Sequence, residues 1–359
     1  MSLRQLEISD FRNIVSSSLL PDESFNLVIG PNASGKTSLL EAMYCLGRGR
    51  SFRTRNSDHL IRQGQRGFTV FARIQYPKSE SRLGLQRQDG ETRIRLDGQD
   101  VRVASQLSQR LPIKILEPGL HAFFDQGPEP RRRFLEWGMF HVEPDYAAAW
   151  RNYRRLLQQR NAALKGNWPD SSLQRFDEML AETGEVIAKF RESHLRQSED
   201  AFKVLCTELG LAHFSDLTIT GYQGWQQGVS LLEALSVTRE SDRQRGFTQT
   251  GPHRTDLRVR TNGMAARDFL SRGEQKLLIA LLHIAQSKLL YRRTGKRSLL
   301  LVDDLSAELD PENRGLLADA LKASDSQVFI TATHRAALAQ VAKSAAVFHV
   351  EHGKIVQVL

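Results

Sequence analysis

The chain of 359 residues has few cysteines and no long apolar stretch. Cys45 and Cys206 form neither a disulfide framework nor a metal-binding motif, so a reduced, cytoplasmic protein is expected. No run approaches the roughly 18 uninterrupted apolar residues that a membrane-spanning helix needs. The N-terminus alternates like a β-strand and lacks the apolar region of a signal peptide. These absences argue against a membrane-spanning protein and against a disulfide-stabilised secreted one.

Positive charge is concentrated in one segment. The chain carries 50 Lys and Arg against 41 Asp and Glu, a formal net charge of +9. Residues 48–114 hold 15 basic and 6 acidic side chains, so this segment accounts for the whole excess. The functional interpretation is a polyanionic partner, either nucleic acid or an anionic membrane surface, whereas the compositional one is an arginine-rich genome. Few aromatic residues interleave with the arginines, so stacking on single-stranded bases is not expected.

Strands alternate with helices near both ends of the chain, which predicts a parallel α/β sheet interrupted by a mostly helical insertion. Strands are expected at 3–9, 25–29, 67–103 (several, with a hairpin turn at Asp97-Gly98), 216–222, 256–261, 298–302 and 327–331, followed by a final β pair. Helices are expected at 36–47, 130–140, 144–164, 171–209, 273–291, 312–322 and 335–343. The two long helices in the middle would form an antiparallel arm whose charged outer face is solvated.

A phosphate-binding loop lies between the second strand and the first helix. Its residues match GxxxxGK[ST]: Gly30, Pro31, Asn32, Ala33, Ser34, Gly35, Lys36 and Thr37. Backbone N–H groups of the loop and of the helix N-terminus would surround the phosphates. Lys36 would reach the β- and γ-phosphates, and the Thr37 hydroxyl would bind Mg²⁺. The pattern therefore predicts a nucleoside triphosphate site.

The apolar strand that ends at Val302 is followed directly by Asp303 and Asp304. Asp303 would hold Mg²⁺ through water, and Asp304 would orient or deprotonate the attacking water. The structural alternative is that this pair only caps the following turn. No NKxD guanine-reading motif occurs, so adenine is the expected base.

Ser271, Gly273, Glu274 and Gln275 precede an apolar helix, where a hydroxyl and backbone amides can bind an anion. Together with the two motifs above, this segment resembles the signature sequence of ABC-type ATPases. Residues 306–310 (Ser-Ala-Glu-Leu-Asp) resemble their D-loop, and His334 resembles their switch histidine.

Further motifs make the chain similar to the RecF family of bacterial recombination mediators, over essentially its whole length. They are residues 8–13 (ISDFRN), 51–56 (SFRTRN), 127–128 with 131–135 (GP and RRRFL) and 248–254 (TQTGPHR). The resemblance implies an SMC/Rad50-like ABC-type ATPase head, a P-loop sheet with an antiparallel β region, and an inserted helical lobe with a short arm. Lobe I would comprise 1–115 and 295–359. Lobe II would comprise 116–294, with the arm at about 130–210 and the signature motif.

The resemblance also implies the function and the site. The chain would be a slow, DNA-dependent ATPase that dimerises on ATP, binds double-stranded DNA and gap junctions, and acts with RecO and RecR to load RecA. Roles in replication-fork maintenance and the SOS response are implied as well. Lys36, Asp303, Asp304 and His334 would be catalytic, and Arg12 and Ser38 would join the nucleotide-binding residues. Glu117 is a candidate metal ligand in place of the Q-loop glutamine.

The sequence departs from the family pattern in places. Ala33 replaces a glycine often found in the phosphate loop, with little expected effect. Asp304 stands where ABC ATPases usually carry glutamate, which is consistent with slow hydrolysis. Thr255 replaces an aspartate that often follows the Gly-Pro-His-Arg segment, so a polar role there is in question.

Duplex DNA would contact the basic segment through its phosphates, without base reading. The candidate residues are Arg48, Arg50, Arg53, Arg55, Arg62, Arg66 and Arg73, with ordinary ion pairing the alternative for about half of them. Three positive charges at Arg131–Arg133, near a helix N-terminus, indicate an anionic partner, which would be DNA, a nearby nucleotide or a partner's acidic residue. The alternative is structural ion pairing. The competing function is the ATPase subunit of a transporter, which leaves the arm and the basic segment unexplained. A small-molecule kinase would not explain the signature motif.

Overall fold

The computed structural model describes residues 1–101, 104–304, 308–334 and 345–358. Its strands are β1 (Ser2–Phe11), β2 (Ile14–Leu19), β3 (Phe25–Ile29), β4 (Gly67–Tyr76), β5 (Ser79–Gln88), β6 (Glu91–Leu96), β7 (Gln99–Asp100), β8 (Ile113–Leu116), β9 (Thr218–Tyr222), β10 (Asp256–Thr261), β11 (Met264–Ala265), β12 (Leu299–Val302), β13 (Gln327–Ala332), β14 (Ala346–Glu351) and β15 (Lys354–Gln357).

The α-helices of the described residues are α1 (Lys36–Arg48), α2 (Ala104–Arg110), α3 (Ala122–Asp125), α4 (Glu129–Val142), α5 (Tyr146–Lys165), α6 (Asp170–Glu208), α7 (Leu231–Arg245), α8 (Ala266–Phe269), α9 (Arg272–Thr294) and α10 (Pro311–Lys322). The expected helix at 335–343 lies outside the described residues. Helix α7, strand β2 and strand β8 were not predicted. They are short or polar, and their apolar residues do not form a strong periodic pattern.

The chain divides into two compact units, residues 1–121 with 271–359 and residues 122–270. The first unit includes α9, which the sequence prediction placed in lobe II. This helix buries nearly all of its apolar residues from Leu277 to Leu290, and it is tied to strand β8 because Lys114 Nζ donates to His283 O at 3.0 Å. Its burial and its link to the sheet therefore place the signature helix with the first unit.

A six-stranded sheet at the centre of the first unit has the order β15-β14-β3-β13-β12-β8. Strands β8, β12, β13, β3 and β14 run parallel, and β15 closes the edge as an antiparallel hairpin with β14. Strand β12 is buried along its whole length, as its continuous Leu-Val run predicts for a parallel strand covered on both faces. Because parallel strands end at one edge, Gly30, Asp303 and Thr333 follow their strands on the same side of the sheet.

A second sheet of the first unit is antiparallel and has the order β2-β1-β4-β5-β6-β7. Alternate residues of β1 and β4, including Leu6, Ile8, Val70 and Ile74, are buried in one core cluster with α1. The predicted turn at Asp97-Gly98 is confirmed, since both residues have positive φ (53° and 84°) and join β6 to β7.

The second unit consists mainly of α4 to α7 with a three-stranded sheet of order β11-β10-β9. Helices α5 and α6 form the predicted hairpin, but α7 also packs against both of them. The outer charged residues of the hairpin, such as Arg151, Arg154 and Glu178, are exposed as predicted, but the buried inner face also carries charged side chains. Arg160 is fully buried, and its guanidinium bonds Asp177 Oδ1 at 2.6 Å and Asp242 Oδ2 at 2.7 Å.

Candidate nucleotide site

The phosphate loop joins β3 to α1, as its sequence predicts. Lys36 begins the helix and is buried, and its Nζ donates to Gly30 O at 2.7 Å and to Pro31 O at 3.0 Å. Gly35 has a φ of 121°, which only glycine adopts readily, and a Cβ at Gly30 would collide with Val350 O. Ala33 has a φ of 62°, in the left-handed region that favours glycine, so the small effect expected for this departure stays a prediction. Two loop carbonyls thus hold the lysine, and Gly35, Lys36 and Thr37 at the start of the helix line a cleft.

Asp303 meets the phosphate loop across 266 positions of sequence. The Thr37 hydroxyl donates to its carboxylate, with O···O distances of 2.9 and 3.1 Å, and the Thr331 hydroxyl donates to Asp303 Oδ1 at 2.9 Å. Thr331 Oγ1 also accepts from the backbone N–H of Asp304 at 2.8 Å. Sequence reasoning missed Thr331, because only its place in a strand, and not its contact with Asp303, can be read from the pattern.

Asp304 differs from its neighbour in conformation and in its partners. Its φ of 47° lies in the left-handed region, and its Oδ1 is buried without a hydrogen-bond partner among the described residues. Burial raises the pKa of Asp304, the charges of Asp303 and Glu308 raise it further, and the Lys36 ammonium opposes the shift. Burial also lowers the pKa of Lys36. A carboxyl group with a raised pKa and an unused oxygen is suited to accept a proton from water.

A cleft of about 680 Å³ adjoins these residues. Residues from four segments line it: Arg12, Asn13, Asn32, Ala33, Gly35, Lys36, Thr37, Ser38, Arg53, His59, Ile61, Gln63, Asp303 and Asp304. The loop amides and Lys36 suit phosphates, and the adjacent Thr37 hydroxyl and Asp303 carboxylate are hard oxygen donors of the kind that Mg²⁺ prefers. The buried Ser34 Oγ has no partner among the described residues, which leaves it available within the loop. The residues therefore fit a nucleoside triphosphate with Mg²⁺.

Arg12 lies at the cleft and is held by an acidic side chain that sequence reasoning missed. Glu41 is fully buried on α1, and its carboxylate accepts two hydrogen bonds from Arg12, both at 2.9 Å. The third arm of the Arg12 guanidinium donates to His59 O at 2.8 Å. Arg53 Nη1 is 3.5 Å from the same carboxylate and lines the same cleft. Arg53, a candidate for DNA binding in the sequence prediction, is thus placed at the nucleotide cleft.

Asn13 is a further residue of the cleft that the sequence prediction quoted in a motif but gave no role. Its Nδ2 donates to Ser34 O at 3.1 Å, and its amide group would be the nearest neighbour of a Cβ at Gly35. Asn13 thereby ties the turn between β1 and β2 to the phosphate loop.

The signature residues lie at the N-terminus of α9 and do not line the cleft. Ser271 is the N-cap, and Glu274 closes a capping box with it. Gln275 is buried, while Gly273 lies near α10: a Cβ at Gly273 would be 3.4 Å from Asn313 Nδ2. The expected D-loop is described only from Glu308, whose carboxylate pairs with Lys276 Nζ at 2.7 Å, because residues 306–307 lie outside the described part.

Glu117 and His334 are also outside the cleft lining. Glu117 follows β8, whose last residue, Leu116, accepts a backbone hydrogen bond from Asp303 at 2.8 Å. His334 follows β13 and is exposed, and residues 335–344 after it lie outside the description. Their assignments as a Q-loop substitute and as the switch histidine stay predictions.

The candidate DNA-binding arginines fall into different environments. Arg62 is paired with Asp10 at 2.7 Å, Arg48 is half-buried in the last turn of α1, and Arg73 has a buried Nε without a partner among the described residues. Three of them are exposed and have no acidic partner in the described part of the chain: Arg50, Arg55 and Arg66. Among the seven candidates, these three present to solvent a positive charge that has no acidic partner in the described residues.

The Arg131–Arg133 cluster is engaged within the second unit. Arg131 forms a bidentate pair with Asp256, at 2.7 and 3.0 Å, and Arg133 pairs with Glu129. Arg132 Nη1 donates to the carbonyls of His253 and Thr255. Structural ion pairing, one of the predicted interpretations, is observed for Arg131 and Arg133.

Thr255, the residue whose polar role was in question, is buried. Its hydroxyl donates to Tyr222 O at 2.7 Å. The threonine therefore keeps a polar role, as a link between the strand that follows it and β9.

None of the described helices is both long and apolar enough to cross a lipid bilayer. Cys45 and Cys206 are buried free thiols, as expected from the absence of a disulfide pattern.

A parallel sheet carrying a phosphate loop and paired aspartates, an antiparallel β region, and an inserted helical hairpin ahead of a signature helix together define an ABC-type ATPase head. Comparison with known proteins agrees with this class. The model of the RecF/RecN/SMC N-terminal domain family matches residues 2–356. The DNA replication and repair protein RecF of Shewanella piezotolerans is 39% identical over 358 residues, 99% of both chains. RecF of Pectobacterium atrosepticum is 40% identical over 357 residues, 99% of this chain and 98% of the relative.

Solved structures agree with the sequence relatives. The recombination mediator protein RecF with ATP, in the RecFOR pathway, superimposes with a TM-score of 0.84 at 25% identity, covering 100% of this chain and 98% of that one. The Smc head domain from Pyrococcus furiosus has a TM-score of 0.60 at 15% identity, covering 99% and 96%, and shares the fold. The chain belongs to the RecF family.

Proposed function

We propose that this chain is a cytoplasmic, DNA-binding ATPase of recombinational repair that closes into a homodimer on ATP and Mg²⁺. One observation carries this proposal: the cleft contains the phosphate loop and both aspartates, whereas the signature residues Ser271 and Gly273 lie outside its lining. A second copy of the chain would supply them. The γ-phosphate would then be held from both sides, and neither copy alone would complete a site. ADP lacks that phosphate, so hydrolysis would favour opening of the dimer.

The residues of the cleft divide the chemistry between them. Loop amides and Lys36 would bind the phosphates, and Thr37 and Asp303 would hold Mg²⁺, whose charge would offset that of the phosphates. Asp304 orients the attacking water and accepts its proton. Its shorter side chain, in place of the usual glutamate, would make hydrolysis slow and suited to a timer.

The exposed arginines Arg50, Arg55 and Arg66 would contact duplex DNA through its phosphates in the closed dimer. The relatives, named DNA replication and repair proteins, and a neighbour described in the RecFOR pathway support DNA as a ligand and RecO and RecR as partners. We propose double-stranded DNA and gap junctions as the forms of DNA that are bound. We further propose that the closed dimer promotes RecA loading, and through it replication-fork maintenance and the SOS response. The transporter alternative has no feature of the described residues in its favour.

Dimer mass measured by light scattering tests the composite site. Ser271→Arg should retain ATP binding but prevent ATP-driven dimerisation, because the side chain would fill the phosphate position at the start of α9. Asp304→Asn should dimerise with ATP but fail to hydrolyse it. A Ser271→Arg protein that dimerises like the wild type would refute the composite site.

Duplex binding tests the DNA surface. The triple substitution of Arg50, Arg55 and Arg66 by Glu should weaken binding of the ATP-bound dimer and reduce its salt dependence by roughly one unit of log–log slope per lost contact. Arg196→Glu is the control, since Arg196 is an exposed, ion-paired residue of α6 in the second unit. Unchanged binding by the triple variant would rule out this surface.

A further inference from the structure

We propose that Glu274 opposes closure of the dimer by occupying, in the isolated chain, the hydrogen-bond donors of Ser271 that the γ-phosphate needs. The proposal rests on the composite site of the proposed function. It makes Glu274 a positioning residue, which acts on the nucleotide through Ser271 and sets how strongly ATP must drive closure.

The contacts at the start of α9 carry this inference. A single carboxylate oxygen, Glu274 Oε2, accepts from the Ser271 hydroxyl at 2.6 Å and from the Ser271 backbone N–H at 2.9 Å. The Ser271 hydroxyl in turn accepts from the Glu274 backbone N–H at 3.3 Å. The signature serine therefore already donates to an anion, and that anion belongs to its own chain.

A second carboxylate lies near the same helix start. A Cβ at Gly273 would be 3.6 Å from Asp310 Oδ2, and Asp310 is itself an N-cap, accepting from Asn313 N at 2.9 Å and Asn313 Nδ2 at 2.6 Å. The nearby Lys276 ammonium is paired with the Glu308 carboxylate, so its positive charge is already engaged in an ion pair. Two carboxylates, those of Glu274 and Asp310, therefore lie near the position where the helix dipole would favour a phosphate.

Competition between two anions for one set of donors determines the direction of the effect. When the γ-phosphate docks, the Ser271 hydroxyl has to leave the Glu274 carboxylate, which then lies next to a like charge. ADP has no group at this position, so with ADP the capping box stays closed. Glu274 thus weakens the ATP dimer while also stabilising the helix of the open chain.

Glu274→Gln separates the weakening of the ATP dimer by the Glu274 charge from the stabilisation of α9 by the capping box. Glutamine retains the capping box, because its amide oxygen can still accept from Ser271, but it removes the charge. The dimer dissociation constant with a non-hydrolysable ATP analogue and Mg²⁺ should fall by about threefold to tenfold at low salt. This increase in dimer affinity should become smaller as salt screens the repulsion between the carboxylate and the phosphate, and it should be absent with ADP. Thermal unfolding of the monomer should change little.

Glu233→Gln is the matched control. Glu233 is also the third residue of a helix with a serine N-cap, where Ser230 Oγ accepts from Glu233 N at 3.2 Å, but it lies on α7 and not in the signature. Glu274→Ala is a second variant, expected to tighten the ATP dimer too while lowering monomer stability.

The outcomes are distinct. An unchanged or weaker dimer for Glu274→Gln, an equal gain with ADP, or the same gain in Glu233→Gln would overturn the role of Glu274. If Glu274→Gln gives one of these results but Ser271→Arg still abolishes ATP-driven dimerisation, the composite site remains supported. Normal dimerisation of Ser271→Arg would instead refute the proposed function itself.

Discussion

Acidification should destabilise the second unit through His253, the histidine of the Gly-Pro-His-Arg segment. Its Nε2 is 3.0 Å from Thr248 O and therefore donates, and its Nδ1 accepts from the Tyr153 hydroxyl at 2.8 Å. Both ring nitrogens are thus used by the neutral form. Burial, with smaller contributions from Arg254 and Arg132, lowers the pKa of His253 from 6.5 to about 4.

The sign of the pH effect follows from this lowered pKa. Above pH 6.5 the ring is neutral in both the folded and the unfolded chain, so no stability is lost. Between pH 6.5 and about 4 the unfolded chain binds a proton that the folded chain does not. With about 1.4 kcal/mol per pH unit, the free energy of unfolding should fall by about 2 kcal/mol between pH 7 and pH 5.

Tryptophan fluorescence during urea unfolding measures this unit selectively, since all four tryptophans (Trp137, Trp150, Trp168 and Trp225) lie in it. Unfolding free energies would be compared across pH 5 to 7.5 for the wild type and His253→Gln. The variant is expected to be less stable at pH 7 but to have a flatter pH dependence. The control is His213→Gln, because His213 is exposed in the same unit. Equal slopes for wild type and His253→Gln would refute the reasoning.

Three further predictions concern the buried cluster and the cleft. Arg160→Met should lower the unfolding free energy by about 3–5 kcal/mol, because it leaves Asp242 with an uncompensated buried charge, whereas the exposed Arg196→Met should change it by about 1 kcal/mol or less; urea titration measures both. Lys36→Ala should reduce ATP affinity at least tenfold by calorimetry, since it removes the buried ammonium of the phosphate loop, and retained affinity would exclude its contact with phosphate. Thr331→Val should lower the ATP hydrolysis rate more than ATP affinity, because it removes the hydroxyl that orients Asp303 and the Asp304 backbone; an unchanged rate would contradict that role.

Much of the candidate site could be predicted because its residues come from short contiguous segments of the sequence. The phosphate loop, the paired aspartates and the signature each place their chemistry within a few residues, so spacing alone identifies them. Asn13, Glu41 and Thr331 could not be assigned in this way. Each acts through a residue at least 21 positions away, and nothing in its own neighbourhood indicates that contact.

The arginines of residues 51–56 also have environments that the sequence pattern does not reveal. Arg53 and Arg55 are two residues apart in one motif, yet one reaches the nucleotide cleft beside Glu41 while the other is exposed and unpaired in the described residues. Composition placed the excess charge in residues 48–114 but did not distinguish these two environments.

The sequence by itself determined the class of chemistry, because phosphate binding depends on local backbone geometry and on side chains adjacent in the chain. It also determined the order of the motifs along the chain, whereas their order across the sheet came from the tertiary structure. Only the tertiary structure decided which charges are available, such as Arg50 on the surface, and which are consumed by partners, such as Arg131 and Arg160. The physical reason is that the pairing and burial of an arginine depend on acidic residues from distant parts of the chain. A local sequence pattern does not show which acidic residues the fold places beside it.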